Sequence, residues 1–418
     1  MNPHQAATHE PPLTGVDTAA FSCPSCNGEK VSLFHRVEAF PVHSTLNMKT
    51  RQMALEYPRG RIHLGFCPQC GFISNVGFDP DLIHYSSQCE EPQWYSPTFT
   101  AFARSQASDL IDRYGLYGKD IMEIGCGKGD FLILLCELGN NRGVGFDPAY
   151  VDERNFSEAR KRVTFITDYY TEKYRDYGAD FICCRMTLEH IHSCGAFVRM
   201  LRASIGDRET TVFFQVPDVT RILRDCCFED IYYEHCSYFS AGSLARLFRD
   251  CGFHVLDVRK AYGEQYLTLE ARPADTSTNA ARTFENDQAL LAGFVGDFQE
   301  RVRRKMERWR SLLSAFHRQG KRVVLWGSGS KAVAFTTCLG IQREVEYTVD
   351  INPYRQGTFL PGTGQPIVAP AFLCDYRPDV VVVMNAVYVT EIRGELDRLG
   401  LHPEILTLES PFRKENPQ

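Results

Sequence analysis

Two tyrosines, a glutamate and a histidine stand side by side in the stretch FEDIYYEHCSYFS, residues 228–240, as Tyr232, Tyr233, Glu234 and His235. A surface helix does not usually gather so many ionisable and aromatic groups within a few positions. An imidazole can exchange a proton near neutral pH, and a phenol hydroxyl can donate a hydrogen bond. The stretch is therefore a candidate acid–base site. The alternative is an aromatic-rich loop end in which His235 hydrogen-bonds a buried carbonyl group.

Four cysteines form two pairs with the same spacing, CPSC at Cys23 and Cys26 and CPQC at Cys67 and Cys70. Each pair has a proline after its first cysteine and a glycine close behind its second, which favours a tight turn with both thiolates on one side. Four soft ligands of this kind complete a closed tetrahedral zinc site. The rival interpretation is a thioredoxin-like redox pair, but that needs only one CxxC, at the start of a helix. We predict a structural zinc ion that fastens a small N-terminal module.

The strongest nucleotide signal lies in KDIMEIGCGKGDFLILLCELG, residues 119–139, where an apolar strand, a glycine turn and an apolar helix follow one another. Gly125, Gly127 and Gly129 let the backbone approach a ligand at the carboxyl end of the strand. Asp147 ends the next strand, about 20 residues beyond the glycines, and is placed to accept both ribose hydroxyls. Sites for NAD, FAD and S-adenosylmethionine all use such a turn.

Two details favour S-adenosylmethionine. Glu123 lies just before the first glycine, and a pyrophosphate would gain from a helix amino terminus without a carboxylate beside it. The turn reads EIGCGKG rather than GxGxxG, and Cys126 within it and Asp168 after the third strand join the predicted cofactor-binding residues. A sulfonium cofactor carries an amino group and a positive charge, so a nearby acid is tolerable. The pattern resembles the first motif of class I methyltransferases, and a Rossmann-like domain for another nucleotide stays open.

The last third of the chain repeats this plan. A polar stretch at residues 271–284 indicates a linker, and apolar positions then recur at helical spacing over residues 285–318. That spacing predicts one long helix bridging two domains, with a coiled-coil or interface role as the alternative. The segment KRVVLWGSGSKAVAFTTCLG then brings Gly327 and Gly329, and Asp350 ends the following strand. Whether this second glycine turn binds a ligand or only packs tightly stays open.

Length and composition limit the class of protein. At 418 residues the chain is too long for one ordinary core, so two or three domains are expected. A net charge of −6 and a pI near 6.1 argue against a nucleic-acid partner that recognises a basic face. No apolar run reaches the roughly 20 residues that span a bilayer, and no signal-peptide pattern is visible, which predicts a cytoplasmic protein without membrane contact. The cysteines outside the two pairs are expected in the core, as at Cys183, Cys184, Cys226 and Cys227.

In the order of its parts, the chain resembles the sugar C-methyltransferases, which act on nucleotide-linked 4-keto-deoxysugars. The resemblance rests on CPSC, CPQC, EIGCGKGDF, TLEHIH, YYEHCSYFS, and WGSGSKA followed by VDINPYRQGTFLPGTGQPI, and extends from about Phe21 to Leu408. It implies an α/β architecture, a class I methyltransferase Rossmann-like sheet flanked by an N-terminal zinc-binding module and a smaller C-terminal Rossmann-like domain. The expected bounds are 15–80 for the zinc module, 81–272 for the cofactor-binding domain, and 285–412 for the long helix with the C-terminal substrate-binding domain.

In that family a Tyr-x-Glu-His motif serves C-methylation, which requires a proton to be taken from carbon beside a carbonyl group. The resemblance implies His235 as the base, with Tyr232 and His190 of TLEHIH stabilising the enolate oxygen. Glu234 would fix the imidazole tautomer or bind a substrate hydroxyl. Tyr85, in the run HYSSQCEEPQWYSPTF, is a further candidate for the active site.

The resemblance also implies where the acceptor binds. The C-terminal domain of the family helps to bind the nucleotide-sugar, which gives a similar task here to Lys331, Asn352 and Gln356. The acceptor would enter the cleft between the central and C-terminal domains, since domain junctions favour ligand pockets. In the run HYSSQCEEPQWYSPTF, Glu90 and Glu91 compete with the tyrosine as site residues.

One departure leaves the acceptor atom open. After the fifth strand the chain reads FFQVPDVTRILRD, where the sugar enzymes carry an acidic pair. Transfer to nitrogen or oxygen demands less of a base, because the acceptor already has a lone pair. An N- or O-methyltransferase of a small natural-product scaffold is therefore one alternative, and a zinc-stapled nucleotide-binding module without methyl transfer is another. The sequence predicts a small-molecule substrate and leaves monomer and small homo-oligomer open.

Overall fold

The computed structural model describes residues 21–90, 93–154, 156–274 and 281–409. The predicted site residue Glu91 lies outside these residues. So do residues 275–280 of the predicted linker, residues 15–20 of the predicted zinc module and residues 410–412 of the last predicted domain. Within them the strands form three sheets. A search of the described helices finds none with the length and apolarity needed to cross a lipid bilayer.

The N-terminal segment forms antiparallel strands behind the cysteine turns. β1 (Ser32–Pro41) and β2 (Arg59–Phe66) are joined through α1 (Arg51–Leu55), and β2 pairs with β3 (Ile73–Asn75). The side chain of Thr50 caps α1 by accepting a hydrogen bond from the Met53 N–H group. Buried apolar residues of these strands join a core that extends to the last third of the chain.

The central segment builds a seven-stranded sheet in the order β10-β11-β8-β7-β4-β5-β6. Strands β4 to β8 are parallel, and β11 runs antiparallel to β8 and β10. The chain order reverses beside β4, and such a switch point opens a ligand crevice at the carboxyl ends of the strands. The elements are α2 (Pro97–Tyr114), β4 (Asp120–Ile124), α3 (Asp130–Leu138), β5 (Arg142–Phe146), β6 (Val163–Ile166), β7 (Phe181–Arg185), α4 (Cys194–Ile205), β8 (Thr211–Pro217), α5 (Val219–Arg224), β9 (Ser237–Tyr238), α6 (Ala241–Asp250), β10 (Phe253–Ala261) and β11 (Tyr266–Pro273).

The short strand β9 connects the central segment to the N-terminal sheet. It pairs antiparallel with β3, Tyr238 opposite Ile73 and Ser237 opposite Ser74, as the fourth strand of that sheet. The Cys236 carbonyl also accepts a hydrogen bond from the Asn75 N–H group at 2.9 Å. The position of His235, just before β9, therefore depends on the N-terminal sheet.

The C-terminal segment forms a five-stranded parallel sheet in the order β14-β13-β12-β15-β16. The strand order reverses again beside β12, the first strand of this sheet along the chain. The second glycine turn, with Gly327 and Gly329, follows β12 directly. The elements are α7 (Gln288–Gly296), α8 (Phe298–Arg318), β12 (Val323–Trp326), α9 (Ser330–Leu339), β13 (Tyr347–Val349), β14 (Ile367–Val368), α10 (Leu373–Tyr376), β15 (Val380–Val383), α11 (Val389–Arg398) and β16 (Glu404–Thr407).

The prediction of one uninterrupted helix over residues 285–318 was wrong, because Asp297 separates α7 from α8 with a non-helical backbone. The sequence before the break, AGFVGD, contains two glycines, and each glycine costs a helix interior about 1 kcal/mol relative to alanine. Beyond the break α8 is amphipathic and buries one side against the core, with Trp309 fully enclosed. The four cysteines predicted in the core, Cys183, Cys184, Cys226 and Cys227, are buried as expected.

Candidate active site

A cavity of about 660 Å³ lies between the carboxyl ends of the central strands and those of the C-terminal strands. Both glycine turns line it, the first through Gly125 and Gly127 and the second through Gly327 and Gly329. The Tyr85-containing run and the YYEH stretch line it as well. The cavity therefore brings together most of the chemistry-bearing residues that the sequence singled out.

The first glycine turn has the backbone geometry that the sequence predicts. Gly125 and Gly127 have φ angles of 70° and 55°, in the left-handed region that favours glycine. A Cβ atom on Gly125 would lie 2.0 Å from Thr187 Oγ1, so a side chain is excluded there. A Cβ on Gly127 would meet no described atom within 4 Å, so this glycine leaves open space for a ligand. Gly129 (φ 88°) precedes α3 and shapes the turn without lining the cavity.

Asp147 is held in the cavity by the turn it faces. Its Oδ2 accepts the Gly127 N–H group at 2.7 Å, and its Oδ1 accepts the Ala149 N–H group at 2.7 Å. Asp168 lines the cavity further out, where Lys173 forms an ion pair with it and the Tyr174 hydroxyl donates a hydrogen bond at 2.6 Å. The Lys173 hydrogen bond, followed by that of Tyr174, lowers the pKa of Asp168 to about 2. Protein hydrogen bonds thus orient both of the carboxylates that the sequence predicts at the cofactor site.

Glu123 and Cys126 lie deeper in the same region. Both line the cavity and are buried. Burial raises the pKa of Glu123 to about 8 and raises that of the Cys126 thiol well above its usual value. Glu123 is therefore mostly protonated at neutral pH and can ionise when a cation enters the cavity.

The candidate acid–base residues form one cluster. The rings of His235 and Tyr232 lie 4.0 Å apart between centroids, and the rings of His190 and His235 lie 4.9 Å apart. Tyr85 Oη lies 2.8 Å from His190 Nδ1, at hydrogen-bond distance. All four side chains line the cavity. Chain segments that are remote in sequence therefore meet as the predicted site requires.

Burial sets the charge state of this cluster. Burial lowers the pKa of His235 well below 6.5, and the Lys331 charge and the protonated form of His190 lower it further. Burial likewise lowers the pKa of His190 and raises that of Tyr232 well above 10. At neutral pH the two imidazoles are therefore uncharged, and the tyrosine remains a hydrogen-bond donor.

Glu234 contacts the N-terminal segment rather than the imidazole of His235. Its Oε1 accepts the Ser44 N–H group at 2.8 Å, and its Oε2 accepts the Ser44 hydroxyl at 2.6 Å. His43 Nδ1 lies 3.5 Å from the same carboxylate. Burial alone would raise the pKa of Glu234, but the His43 and Ser44 contacts lower it below its usual value. Sequence reasoning missed His43 and Ser44, because FPVHST carries no spacing that signals a site.

Glu189 is the carboxylate that approaches His235. Its Oε1 lies 3.9 Å from His235 Nε2, and both side chains are almost fully buried. In the described part of the chain, His235 Nδ1 has no hydrogen-bond partner. A carboxylate near Nε2 favours the tautomer that carries its proton there, which leaves the Nδ1 lone pair able to accept a proton. The TLEHIH turn thus supplies two residues to the cluster, of which only His190 was predicted.

The second glycine turn is filled by hydrogen bonds from neighbouring protein side chains. Asp350 Oδ2 accepts both the N–H group of Ser328, at 2.9 Å, and its hydroxyl, at 2.5 Å. Arg355 donates to the Ser328 hydroxyl at 2.6 Å and to the Ser328 carbonyl at 2.7 Å. The turn is therefore packed by internal contacts, while Ser328 still lines the cavity.

The three predicted acceptor-binding residues lie in different environments. Lys331 lines the cavity and forms an ion pair with Asp230. Asn352 lines it too and donates to Glu90 Oε1 at 3.2 Å. Gln356 is not among the cavity-lining residues described, and its amide donates to the Asp350 carbonyl at 2.9 Å.

The four paired cysteines converge as the sequence predicts. Cys23 Sγ lies 3.6 Å from Cys70 Sγ, and Cys26 Sγ lies 3.7 Å from Cys67 Sγ. All four sulfurs lie within 4.8 Å of one another. A tetrahedral zinc ion with Zn–S bonds of about 2.3 Å needs sulfurs about 3.8 Å apart. The geometry fits a closed zinc site without an open coordination position.

Two family models match the central and C-terminal parts of the chain. Residues 99–258 match the family model described as a methyltransferase domain, and residues 265–400 match the C-methyltransferase C-terminal domain. The chain is 28% identical over 306 residues to C-methyltransferase NovU of Streptomyces niveus, which is 68% of this chain and 70% of that protein.

Solved structures of other methyltransferases are similar to part of the chain. Magnesium protoporphyrin IX methyltransferase from Synechocystis PCC 6803 with bound S-adenosylhomocysteine is 16% identical, covers 42% of this chain and 84% of its own, and has a TM-score of 0.33. The 1,6-didemethyltoxoflavin-N1-methyltransferase of Burkholderia thailandensis is 17% identical, covers 43% and 82%, and has a TM-score of 0.32. The family matches and the sheet order identify a class I Rossmann-like methyltransferase fold that uses S-adenosylmethionine. A nucleotide-binding module without methyl transfer is not supported.

Proposed function

We propose that this S-adenosylmethionine-dependent methyltransferase methylates a carbon atom beside a carbonyl group, in a nucleotide-linked keto-sugar or a related natural-product intermediate. The observation that carries the proposal is the cluster of two histidines and two tyrosines that lines the cavity, with the His235 side chain buried within it. Transfer to nitrogen or oxygen would not require so elaborate a proton-accepting site. The C-methyltransferase C-terminal domain match and the likeness to a C-methyltransferase give further support.

His235 removes the proton from carbon in this proposal. Its Nδ1 atom has no partner within the described residues, and Glu189 favours the proton on Nε2. The resulting enolate is stabilised by hydrogen-bond donors, which act most strongly in a site that excludes water. Tyr232, whose ring packs on His235, is one donor. The hydrogen-bonded pair of Tyr85 and His190 stabilises the enolate oxygen from the opposite side.

S-adenosylmethionine supplies the methyl group when it is bound over the first glycine turn. Asp147 would hold the ribose hydroxyls, and Asp168 would lie near the adenine. The acceptor would occupy the part of the cavity that faces the second glycine turn, with Lys331 and Asn352 toward its nucleotide. The bound cofactor would supply the methyl group to the enolate carbon, and the electron pair of the broken carbon–sulfur bond would stay on sulfur. The proton taken from carbon would be held on His235 and passed to solvent after the transfer.

The proposed zinc ion would have a structural role. Cys23, Cys26, Cys67 and Cys70 would hold it, and all coordination positions would be filled. The ion would fix the end of β2, from which β3 and β9 follow in the sheet. Because β9 begins just after His235, the metal would support the catalytic cluster without taking part in the chemistry.

The test is deuterium exchange at carbon in a nucleotide-linked 4-keto-deoxysugar, in D2O and without turnover of the cofactor. Wild type should exchange the proton next to the carbonyl group, and His235→Asn should not. His192→Asn is the matched control, because His192 stacks on Phe78 and does not line the cavity. The absence of exchange in wild type with every such sugar would reject this substrate class and favour a heteroatom acceptor, which a screen of amines and hydroxyls would then identify.

A further inference from the structure

Glu189, His190 and His235 bring three metal-ligating atoms within reach of one ion. One carboxylate oxygen and one nitrogen from each ring all lie within 4.8 Å of one another. All three side chains line the cavity, and those of Glu189 and His235 are almost fully buried. This cluster is a different group from the four cysteines of the zinc module, and its ligand atoms are nitrogen and oxygen rather than sulfur.

The spacing of Glu189 and His235 is close to that of two ligands of one ion. Glu189 Oε1 lies 3.9 Å from His235 Nε2. Zinc bonds of about 2.1 Å to nitrogen and oxygen place two ligands of a tetrahedral ion about 3.4 Å apart. A side-chain movement of about half an ångström therefore brings both atoms to one ion. The ion would take the place of the Nε2 proton, between the ring and the carboxylate.

The hydrogen bonds of His190 leave one of its ring nitrogens for a metal. Nδ1 lies 3.0 Å from the Glu234 carbonyl oxygen, which can only accept, so this hydrogen bond requires the proton on Nδ1. The Tyr85 hydroxyl oxygen, 2.8 Å from the same nitrogen, can accept the same N–H group. The lone pair of the ring is then on Nε2. Metal-binding histidines usually donate their second ring nitrogen to a carbonyl or carboxylate oxygen in this way.

The surroundings of the cluster also suit a cation. In the part of the chain that the structure describes, His235 Nδ1 has no hydrogen-bond partner, so no hydrogen bond at Nδ1 holds the ring against a small movement toward an ion. Lys331 lines the same cavity, and its ion pair with Asp230 reduces the repulsion that its charge would exert. Two imidazoles and one carboxylate are a donor set of zinc sites that keep an open coordination position, and they suit Zn²⁺ and Co²⁺ better than Mg²⁺ or Ca²⁺.

We propose that Glu189, His190 and His235 bind a divalent transition-metal ion such as Zn²⁺ or Co²⁺, and that this ion inhibits the removal of a proton from carbon. An ion on Nε2 moves the single ring proton of neutral His235 to Nδ1. The lone pair that accepts the proton of the substrate is then lost. The metal site does not depend on the acceptor, whereas the inhibition rests on the proposed function of His235 as the base.

The experiment titrates Co²⁺ into the full-length protein after the four cysteines have been loaded with zinc. Cobalt bound by nitrogen and oxygen gives visible d–d absorption without the thiolate-to-metal charge-transfer bands of a cysteine site. Wild type should bind one further ion with that spectrum. Glu189→Gln and His190→Asn should each weaken its binding about ten-fold or more, since even the loss of a residue that only orients a ligand costs about that much. His192→Asn is the matched control and should bind cobalt like wild type, because His192 stacks on Phe78 and does not line the cavity.

Deuterium exchange in a nucleotide-linked 4-keto-deoxysugar is followed in the same titration. In wild type the exchange should decrease in proportion to the growth of the d–d band. The affinity for S-adenosylmethionine reports whether each variant is folded, and if Glu189→Gln is not, His190→Asn carries the test.

Three results would contradict the proposal in different ways. A zinc-loaded protein that binds no further cobalt would overturn the metal site, while exchange without cobalt would still support His235 as the base. A d–d band of wild-type strength in both variants would place the ion elsewhere and overturn the assignment of its ligands. Full occupancy with undiminished exchange would keep the site but overturn the inhibition, and with it the role of His235 as the base.

Discussion

The rings of His190 and His235 lie 4.9 Å apart at an interplanar angle of 77°, although one follows β7 and the other precedes β9. The Cys236 N–H group, next to His235, donates to the Glu189 carbonyl, next to His190, at 3.0 Å. This backbone contact fixes the two segments against each other. The histidine pair is therefore a property of the backbone framework rather than of two flexible side chains.

Replacing His235 by asparagine should lower kcat by a factor of about 100 or more and leave the dissociation constant of S-adenosylmethionine nearly unchanged. In the proposed mechanism His235 contributes to proton transfer as a general base, whereas the first glycine turn and Asp147 hold the cofactor. Steady-state kinetics and titration calorimetry measure the two quantities. Unchanged turnover would remove His235 from the mechanism, and the His192→Asn protein should behave like wild type.

The acidic limb of the pH profile should lie below pH 6.5. Burial lowers the pKa of His235 and of His190, so each imidazole stays neutral and able to accept a proton as the pH falls through its ordinary value. We expect kcat/KM to stay level from pH 7.5 down to pH 6.5 and to fall only at lower pH. The same shifts mean that folding stability is lost as the pH falls below 6.5, because the unfolded state takes up protons first. An acidic limb centred above pH 6.5 would contradict the buried, neutral base.

Cofactor binding should distinguish the two glycine-turn units. Asp147→Ala should weaken S-adenosylmethionine binding about ten-fold or more, because a carboxylate oriented by two N–H groups would be lost. Asp350→Ala, the equivalent change in the C-terminal unit, should leave the dissociation constant within about two-fold. Calorimetry on both proteins gives the answer. Equal losses would indicate that the cofactor contacts both turns, and a loss only in Asp350→Ala would assign it to the second.

The Ser44 contact should stabilise the fold through Glu234. Ser44→Ala removes the hydroxyl that donates to a buried carboxylate and should lower the free energy of unfolding by about 1–3 kcal/mol at pH 7. Because the folded-state pKa of Glu234 is lowered, its contribution is present above the unfolded value and is lost as the pH falls below it. Urea unfolding at pH 7 and pH 4 measures both effects. Ser86→Ala, which alters a weak 3.4 Å loop contact, is the control and should change stability little.

Zinc content and activity should fall together in Cys70→Ser. The protein should lose its metal, measured by elemental analysis, and melt several degrees lower, since three remaining ligands no longer close the site. Turnover should decrease more than cofactor affinity, because β3 and β9 lie between the cysteine turns and His235. Cys374→Ser changes an exposed thiol and should alter neither metal content nor melting. A metal-free wild-type protein that melts like the loaded one would refute the structural site.

The sequence by itself determined the local plans and much of the chemistry. Each glycine-turn unit has a strand, a glycine turn, a helix and a second strand that ends in an aspartate, all within about thirty consecutive residues. Backbone preference and apolar periodicity therefore specify both units, around Gly125–Asp147 and around Gly327–Asp350. The two CxxC turns were equally local. Each of these features depends on neighbours along the chain, and the structure reproduces each one.

Contacts between distant segments were decided only by the tertiary structure. The pairing of β9 with β3 brings His43 and Ser44 against Glu234, and the turn after β7 brings Glu189 beside His235. In sequence, Glu189 is one acidic residue in TLEHIH, and His43 stands in no motif. Their roles depend on which side chains pack against them and on what burial does to their charge. Those quantities arise from the packing of remote segments and have no periodic pattern in the chain.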